Sequence, residues 1–458
     1  MKNRVFVMSH AAIFAAITLG CLVAALSGCS KSDPLDPKNP VTLYLWHPYE
    51  QRMRVNIDEL ITEFNSTVGA ARGIIVRDSF VAETEVINSA LISAADGIPG
   101  APALPDIAVV YPNIAITLAN KGLLMDFSAQ FSEDELSHYV KDFLEEGKIG
   151  GTLFVLPVAK STEVMFVNAA IFNRFAAGVE GVSLSRLASF EGLLWTAQKY
   201  YEWSGGKSFM YYTDLFNYSL TAFNQHGGNF LEDDKLNLSS PIFHKVWDGY
   251  FPRAVQGGLA IFDSYGSHLM ATGETVAILD TTASVAFLSN TVIYADNIEE
   301  RYELVILPYP VFEGGQKASV QQGAGMCVIK SDAKKEYAAG VFLKWFTQPE
   351  QNLRFTVSLG YMPVTTDAFS EFMENPRTYI KGDTVMDNNA RKLVDVVSDM
   401  QKNYRFHYPP VFDLTAEMRW SYARQLRTAA QNARNNYLGG ASYEAVSIDA
   451  MEQFIGNR

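Results

Sequence analysis

From Val41 onward short apolar runs alternate with stretches of helical spacing, and that alternation restricts the chain to few architectures. Val41 to Trp46 is a strand entering a loop at His47-Pro48, and the next segment sets Ile57, Leu60, Ile61 and Phe64 on one helical face. Gly73 to Val76 is the next strand, Val86 to Ala95 a helix, Asp106 to Val110 a short apolar run and Ile114 to Lys121 another helix. Strands separated by helices form largely parallel sheets in α/β units. After Gly150-Gly151 the run GGTLFVLP predicts a strand over 152–157, and STEVMFVN predicts one over 161–168. The chain between Phe172 and Phe251 reads as chiefly helical, followed by strands at Val276 to Leu279, Leu304 to Leu307 and Ala324 to Ile329. The helix Glu336 to Phe346 is stopped by Pro349, and from about Thr366 the sequence is predominantly helical. At 458 residues the chain is too long for one simple core, so two domains are expected.

The N-terminus stands apart from this pattern. Lys2 and Arg4 precede an uncharged apolar stretch from Val5 to Leu26 that is interrupted only by His10, the shape of an export signal. The run is also long enough to span a bilayer as a retained anchor. Residues 30–40 are polar, with Pro34, Pro37 and Pro40, and cannot bury apolar area; they form a tether.

Composition narrows the function. The net charge is -13 and the chain beyond the signal has no basic cluster, which excludes a nucleic-acid surface. Of three cysteines, Cys21 lies in the signal, Cys29 follows it and Cys327 sits in an apolar run, so no disulfide is available downstream of residue 29. The sequence has no G-x-S-x-G elbow, no H-E-x-x-H and no phosphate-binding G-x-x-x-x-G-K-[ST]. Its histidines lack metal-ligand spacing, and no cofactor is implied. Two other classes remain open. An exported glycoside-active enzyme would need paired carboxylates across a cleft, with Glu50, Glu163 and Asp214 as the available set. A structural surface lipoprotein would show no closure around a small solute.

Leu26-Ser27-Gly28-Cys29 resembles a bacterial lipoprotein signal, which implies removal of residues 1–28, acylation of Cys29, export and a membrane-anchored tether over 29–40. Four further stretches resemble the sugar-type extracellular solute-binding proteins (family 1) of ABC importers: YLWHPYE at 44–50, GTLFVLPVAKSTEVMFVNAAIFN at 151–173, NQHGGNF at 224–230 and FLKWFTQPEQNLRFTVSLGYMPVT at 342–365. The resemblance spans the mature chain and implies a periplasmic-binding-protein-like fold: two α/β lobes with a ligand cleft between them and crossing hinge strands. Residues 41–155 with 312–365 would form one lobe, and 156–311 with 366–458 the other. The implied partners are a small-molecule solute and the transmembrane subunits of a permease, for a monomeric receptor. A sugar or oligosaccharide leads as cargo, with glycerol phosphate or a glycerophosphodiester as the alternative.

Enclosed sugars need flat apolar faces and a polar fringe. The residues at strand ends that supply them are Trp46, His47 and Glu50 after the first strand and Tyr111 after the run 106–110. Ser161 and Thr162 follow the first crossing, with Glu163 as a hinge-side carboxylate. Asp214, Thr282 and Ser284 supply the second lobe. Gly323 and Gly325 resemble a loop whose bare backbone approaches the solute. Tyr361 lies in the GYMPV match. Arg405 is the cationic candidate for a phosphate or a ring of hydroxyls.

Overall fold

The computed structural model describes residues 33–80, 84–232, 234–375, 377–410 and 415–456; Cys29 and the apolar N-terminal run lie outside them. Two sheets organise the chain. The first has the order Ile74–Phe80, Val41–His47, Ile107–Val110, Gly325–Val328, Leu156–Pro157. Its first three strands are parallel, and Gly325–Val328 runs antiparallel to both neighbours. Along Val41–His47 the side chains of Val41, Leu43, Leu45 and His47 are buried, the period-two pattern of a sheet face. The helix Gln51–Ser66 covers that face with Ile57, Leu60, Ile61 and Phe64, as its spacing requires. Phe64 meets Phe342 of the helix Ala333–Phe346 edge to face at 5.0 Å.

The second sheet has the order Leu304–Leu307, Glu163–Asn168, Ala277–Thr281, Met210–Tyr212. Glu163–Asn168 is buried along its whole length and antiparallel to both neighbours, while Ala277–Thr281 and Met210–Tyr212 are parallel. This α/β architecture with two sheets agrees with the expectation.

Two local readings differ from it. Residues 152–157 are not one strand: Thr152–Leu153 closes a hairpin with Lys148–Ile149, and Leu156–Pro157 joins the first sheet separately. The N–H groups of Phe154 and Val155 both converge on the Gly147 carbonyl at 3.2 Å, which turns the chain between them. The Met210–Tyr212 strand lies inside the stretch expected to be helical; three residues are too few for a period to register.

Several segments run side by side between the sheets. Lys160 pairs with Met362 and Ser161 with Gln322, while the Gln321 amide reaches the His407 carbonyl at 2.6 Å. Ala318–Val320 continues alongside Arg405–His407. The buried Thr162 hydroxyl donates to the Val320 carbonyl at 2.7 Å and lies 2.9 Å from the Ser319 hydroxyl. Lys160 is buried too: its Nζ donates to Glu146 Oε2 at 2.8 Å, and Gln321 Nε2 donates to the same oxygen at 2.7 Å. One carboxylate thus fastens two crossings.

Gly323 explains how closely these strands approach. It has φ +124°, and an added Cβ would lie 2.7 Å from the Ala159 carbonyl oxygen. Gly323→Ala is therefore expected to cost about 1–3 kcal/mol, read as a lower midpoint of chemical denaturation. An unchanged midpoint would contradict the close approach.

A candidate ligand site between the sheets

Gly325 is in register with Val110, and Glu163 with Thr281. The crossings therefore run between the C-terminal ends of the parallel strands of both sheets. Loops leave an α/β sheet at those ends, and ligands bind there.

On the second-sheet side the edge is acidic. Met210–Tyr212 leads to Asp214, whose Oδ1 accepts from the Phe216 and Asn217 amides at 2.9 Å and caps the helix Leu215–Gln225. Arg419, on the helix Thr415–Leu438, donates to Asp214 Oδ2 at 2.9 Å and to Asn217 Oδ1 at 3.1 Å. Asn217 Nδ2 donates to Glu163 Oε1 at 2.7 Å and to Gln322 Oε1 at 3.0 Å. Burial raises the Glu163 carboxyl well above its ordinary range; the charges of Asp214 and Asp280 add to this, against the Asn217 hydrogen bond and the Arg419 charge. Asp280 is raised to about 6 by burial, despite hydrogen bonds from Thr281 and Ser284. Three carboxylates share this edge with Arg419, and among the described residues neither Glu163 nor Asp280 has a cationic side chain within 4.0 Å.

The first-sheet side is aromatic. Tyr49, Tyr111 and Tyr361 interact electrostatically: the Tyr361 phenol is pushed far up by burial, then by Tyr111 and Tyr49. Tyr111 is 38% exposed and immediately precedes the helix Pro112–Asn120. Tyr361 sits between two links to the other side. Gly360 approaches the Thr282 carbonyl so closely that a Cβ would lie 2.4 Å from it, and Met362 pairs with Lys160.

The other sequence candidates separate into groups. His47 is fully enclosed and stacked on Tyr49 at 5.2 Å, so it acts on the cleft only through that ring. Trp46 is half-buried against a small cluster that includes Ala108, Val110 and Cys327, and Glu50 is exposed at the start of the helix Gln51–Ser66. Ser161, Thr162 and Gly323 belong to the crossings, and a Cβ on Gly325 would meet the Leu156 carbonyl at 2.6 Å. Close strand packing accounts for both glycines. Thr282 is buried beside Asp280, and Ser284 bonds to Asp280.

Arg405 does not join the cluster. It donates to the carbonyl of Asn224, ten residues beyond Asp214 along one helix and so about 15 Å away. Arg419, not Arg405, stands at the acidic edge. No sequence signal marked Arg419, because the partner that selects it lies 205 positions upstream. Tyr49 was missed for a similar reason, being one residue in a loop read for His47 and Glu50.

Among the described residues one cluster, His47, Asp58 and Asp78, brings metal-type donors within 4.8 Å of one another. The Tyr49 amide donates to His47 Nδ1 at 3.2 Å, so the neutral ring carries its proton on Nε2, 3.4 Å from Asp78. A ligated Nε2 would need that proton removed. The arrangement favours an imidazole–carboxylate contact over a metal. A surface groove lined by Ser189, Trp195 and Phe312 shares none of these residues.

Comparison with known families settles the class. The profile of the bacterial extracellular solute-binding proteins matches residues 59–378. The chain belongs to that family. Comparison with curated protein sequences returns no match. Among solved structures, this solute-binding protein is similar to the cyclic α-maltosyl-1,6-maltose binding protein of Arthrobacter globiformis, at 19% identity and TM-score 0.67, covering 91% of this chain and 98% of that one. UgpB of Mycobacterium tuberculosis in complex with glycerophosphocholine matches at 16% identity and TM-score 0.67, with the same coverages. An ABC substrate-binding protein of Listeria monocytogenes in complex with cycloalternan matches at 16% identity and TM-score 0.65, covering 92% and 98%. At these identities the likeness concerns the fold, the periplasmic-binding-protein arrangement anticipated from the sequence. Among the described residues no helix is long and apolar enough to cross a membrane.

Proposed function

We propose that this solute-binding protein captures a sugar or oligosaccharide between two lobes, approximately 41–155 with 312–365 and 156–311 with 366–458, and delivers it to the transmembrane subunits of an ABC permease. The leader through Gly28 is removed, and acylated Cys29 and the following tether hold the monomer at the membrane surface, outside the cytoplasm. The observation that carries the cargo assignment is the charge balance of the second-sheet edge: Glu163, Asp214 and Asp280 share it with one cation, Arg419, which is engaged by Asp214 and Asn217. Carboxylates and amides accept and donate to polyol hydroxyls, whereas a phosphate would meet net repulsion there. Tyr111 and Tyr361, which keep some exposure on the first-sheet side, supply flat apolar faces for C–H surfaces.

The test is the change in melting temperature across neutral sugars, amino sugars and oligosaccharides, glycerol phosphate and glycerophosphodiesters. A carbohydrate that binds at 100 times its Kd stabilises by about 2.7 kcal/mol. A response confined to the phosphates would overturn the carbohydrate assignment and restore the glycerophosphodiester reading.

A further inference from the structure

We propose that the solute taken by this cleft carries a protonated amine, seated against the Glu163 and Asp280 carboxylates, beside the Arg419-paired Asp214, as the cation those two lack among the described residues. The inference rests on the carbohydrate reading above and narrows it to amino sugars.

The argument begins with what faces Glu163. Its own strand brings the carboxylate in 3% exposed; Asp214 and Asn217 approach from the helix Leu215–Gln225 and Asp280 from the adjacent strand. Gln322 contacts Asn217 from a crossing, Arg419 approaches from the helix Thr415–Leu438, and Tyr309 lies close enough to feel the Glu163 charge. Arg419 is directed away from Glu163, onto Asp214 Oδ2 and Asn217 Oδ1. A second observation at the same strand end points to an occupant: the Thr282 hydroxyl is 1% exposed and has no hydrogen-bond partner among the described residues. Its backbone amide bonds to the Thr162 carbonyl, one residue before Glu163.

A neutral sugar would satisfy these oxygens with hydroxyl donors but leave the buried negative charge uncompensated. A protonated amine supplies donors and charge together. Without it, protons on the carboxylates meet the same need. Binding an already protonated amine therefore releases protons from Glu163 and Asp280, with nothing oxidised or reduced and no covalent bond formed beyond proton transfer to buffer. The aromatic side would contribute through Tyr111 and Tyr361, which keep some exposure there, since tyrosine ring faces attract ammonium groups.

Titration calorimetry on the purified protein tests this with matched pairs: glucosamine against glucose, galactosamine against galactose, and glucosamine oligomers against their N-acetylated counterparts of equal length. The amine member is expected to bind about tenfold tighter or better, the low end for a close desolvated charge pair. Repeating the titration in buffers of different ionisation heat near pH 6 should show proton release that shrinks in Glu163→Gln and Asp280→Asn. Equal or tighter binding of the neutral members, or an absence of proton release, overturns the amine proposal and leaves the carbohydrate reading standing. Failure of every carbohydrate to bind overturns both.

Discussion

Lys160→Met is expected to lower stability by about 3–5 kcal/mol, because removing one partner of a buried ion pair strands the other. Lys160 and Glu146 are 3% and 5% exposed, joined at 2.8 Å, and Gln321 shares the same carboxylate oxygen. With Lys160 gone, Glu146 would keep one neutral donor for a buried negative charge. The double variant Lys160→Met, Glu146→Leu should recover most of the loss, since an apolar pair of similar volume has no charge to desolvate. Chemical denaturation of the four members of that cycle measures the coupling. A single-variant loss within the roughly 0–1 kcal/mol typical of exposed pairs would mean that water reaches the pair and that it fastens nothing.

The pair also bears on how the lobes move. Glu146 ends the helix Lys141–Glu146, which packs near the first-sheet strand Leu156–Pro157. Both crossings that meet its carboxylate are therefore held to the first sheet. Rotation of one lobe on the other is expected to bend these crossings on the second-sheet side, around Thr162 and Ser319. The ion pair between Arg52 and Asp387 joins the helix Gln51–Ser66 to a helix packed on Leu304–Leu307 and is expected to resist such rotation.

What the sequence disclosed follows from the range of the interactions involved. The parallel part of the first sheet was legible because Val41–His47 and the helix after it each carry their own period within a short window. Glu163–Asn168 was legible through its apolar centre, Val164 to Val167. Met210–Tyr212 was not, because its identity as a strand is conferred by Ala277–Thr281 rather than by its own residues. The site shows the same division. Asp214 and Thr282 were singled out because a strand end is a local feature, and the structure places both at strand ends of the second sheet. Arg419 was not, because its contact with Asp214 spans 205 positions, whereas Arg405 stands out within the aromatic run NYRFHYPP and donates to a helix carbonyl. Gly323 and Gly325 were expected to let backbone approach a solute; in the structure each closely approaches a neighbouring backbone segment.

The acidic edge should leave its mark on the pH dependence of stability. Asp280 rises from 3.8 to about 6 on folding, chiefly through burial, and Glu163 moves in the same direction. Between those values the folded chain holds a proton on Asp280 that the unfolded chain has released, so stability falls as pH rises through the window and stays lower above it. A shift of about 2 units corresponds to about 3 kcal/mol as an upper scale for this group. Asp280→Asn removes the titration while keeping the shape, so its stability relative to the parent should climb by about 2–3 kcal/mol from about pH 4 to about pH 7. Differencing the two proteins cancels carboxylates of the opposite sign, such as Asp387, which Thr384 and Arg52 hold low and which lose their contribution as pH falls. A difference that stays flat across that range would show that Asp280 is solvated or paired in the folded chain. A cationic solute would reverse the slope for the liganded protein, since its affinity grows as these carboxylates ionise, while a neutral one would bind best where they keep their protons.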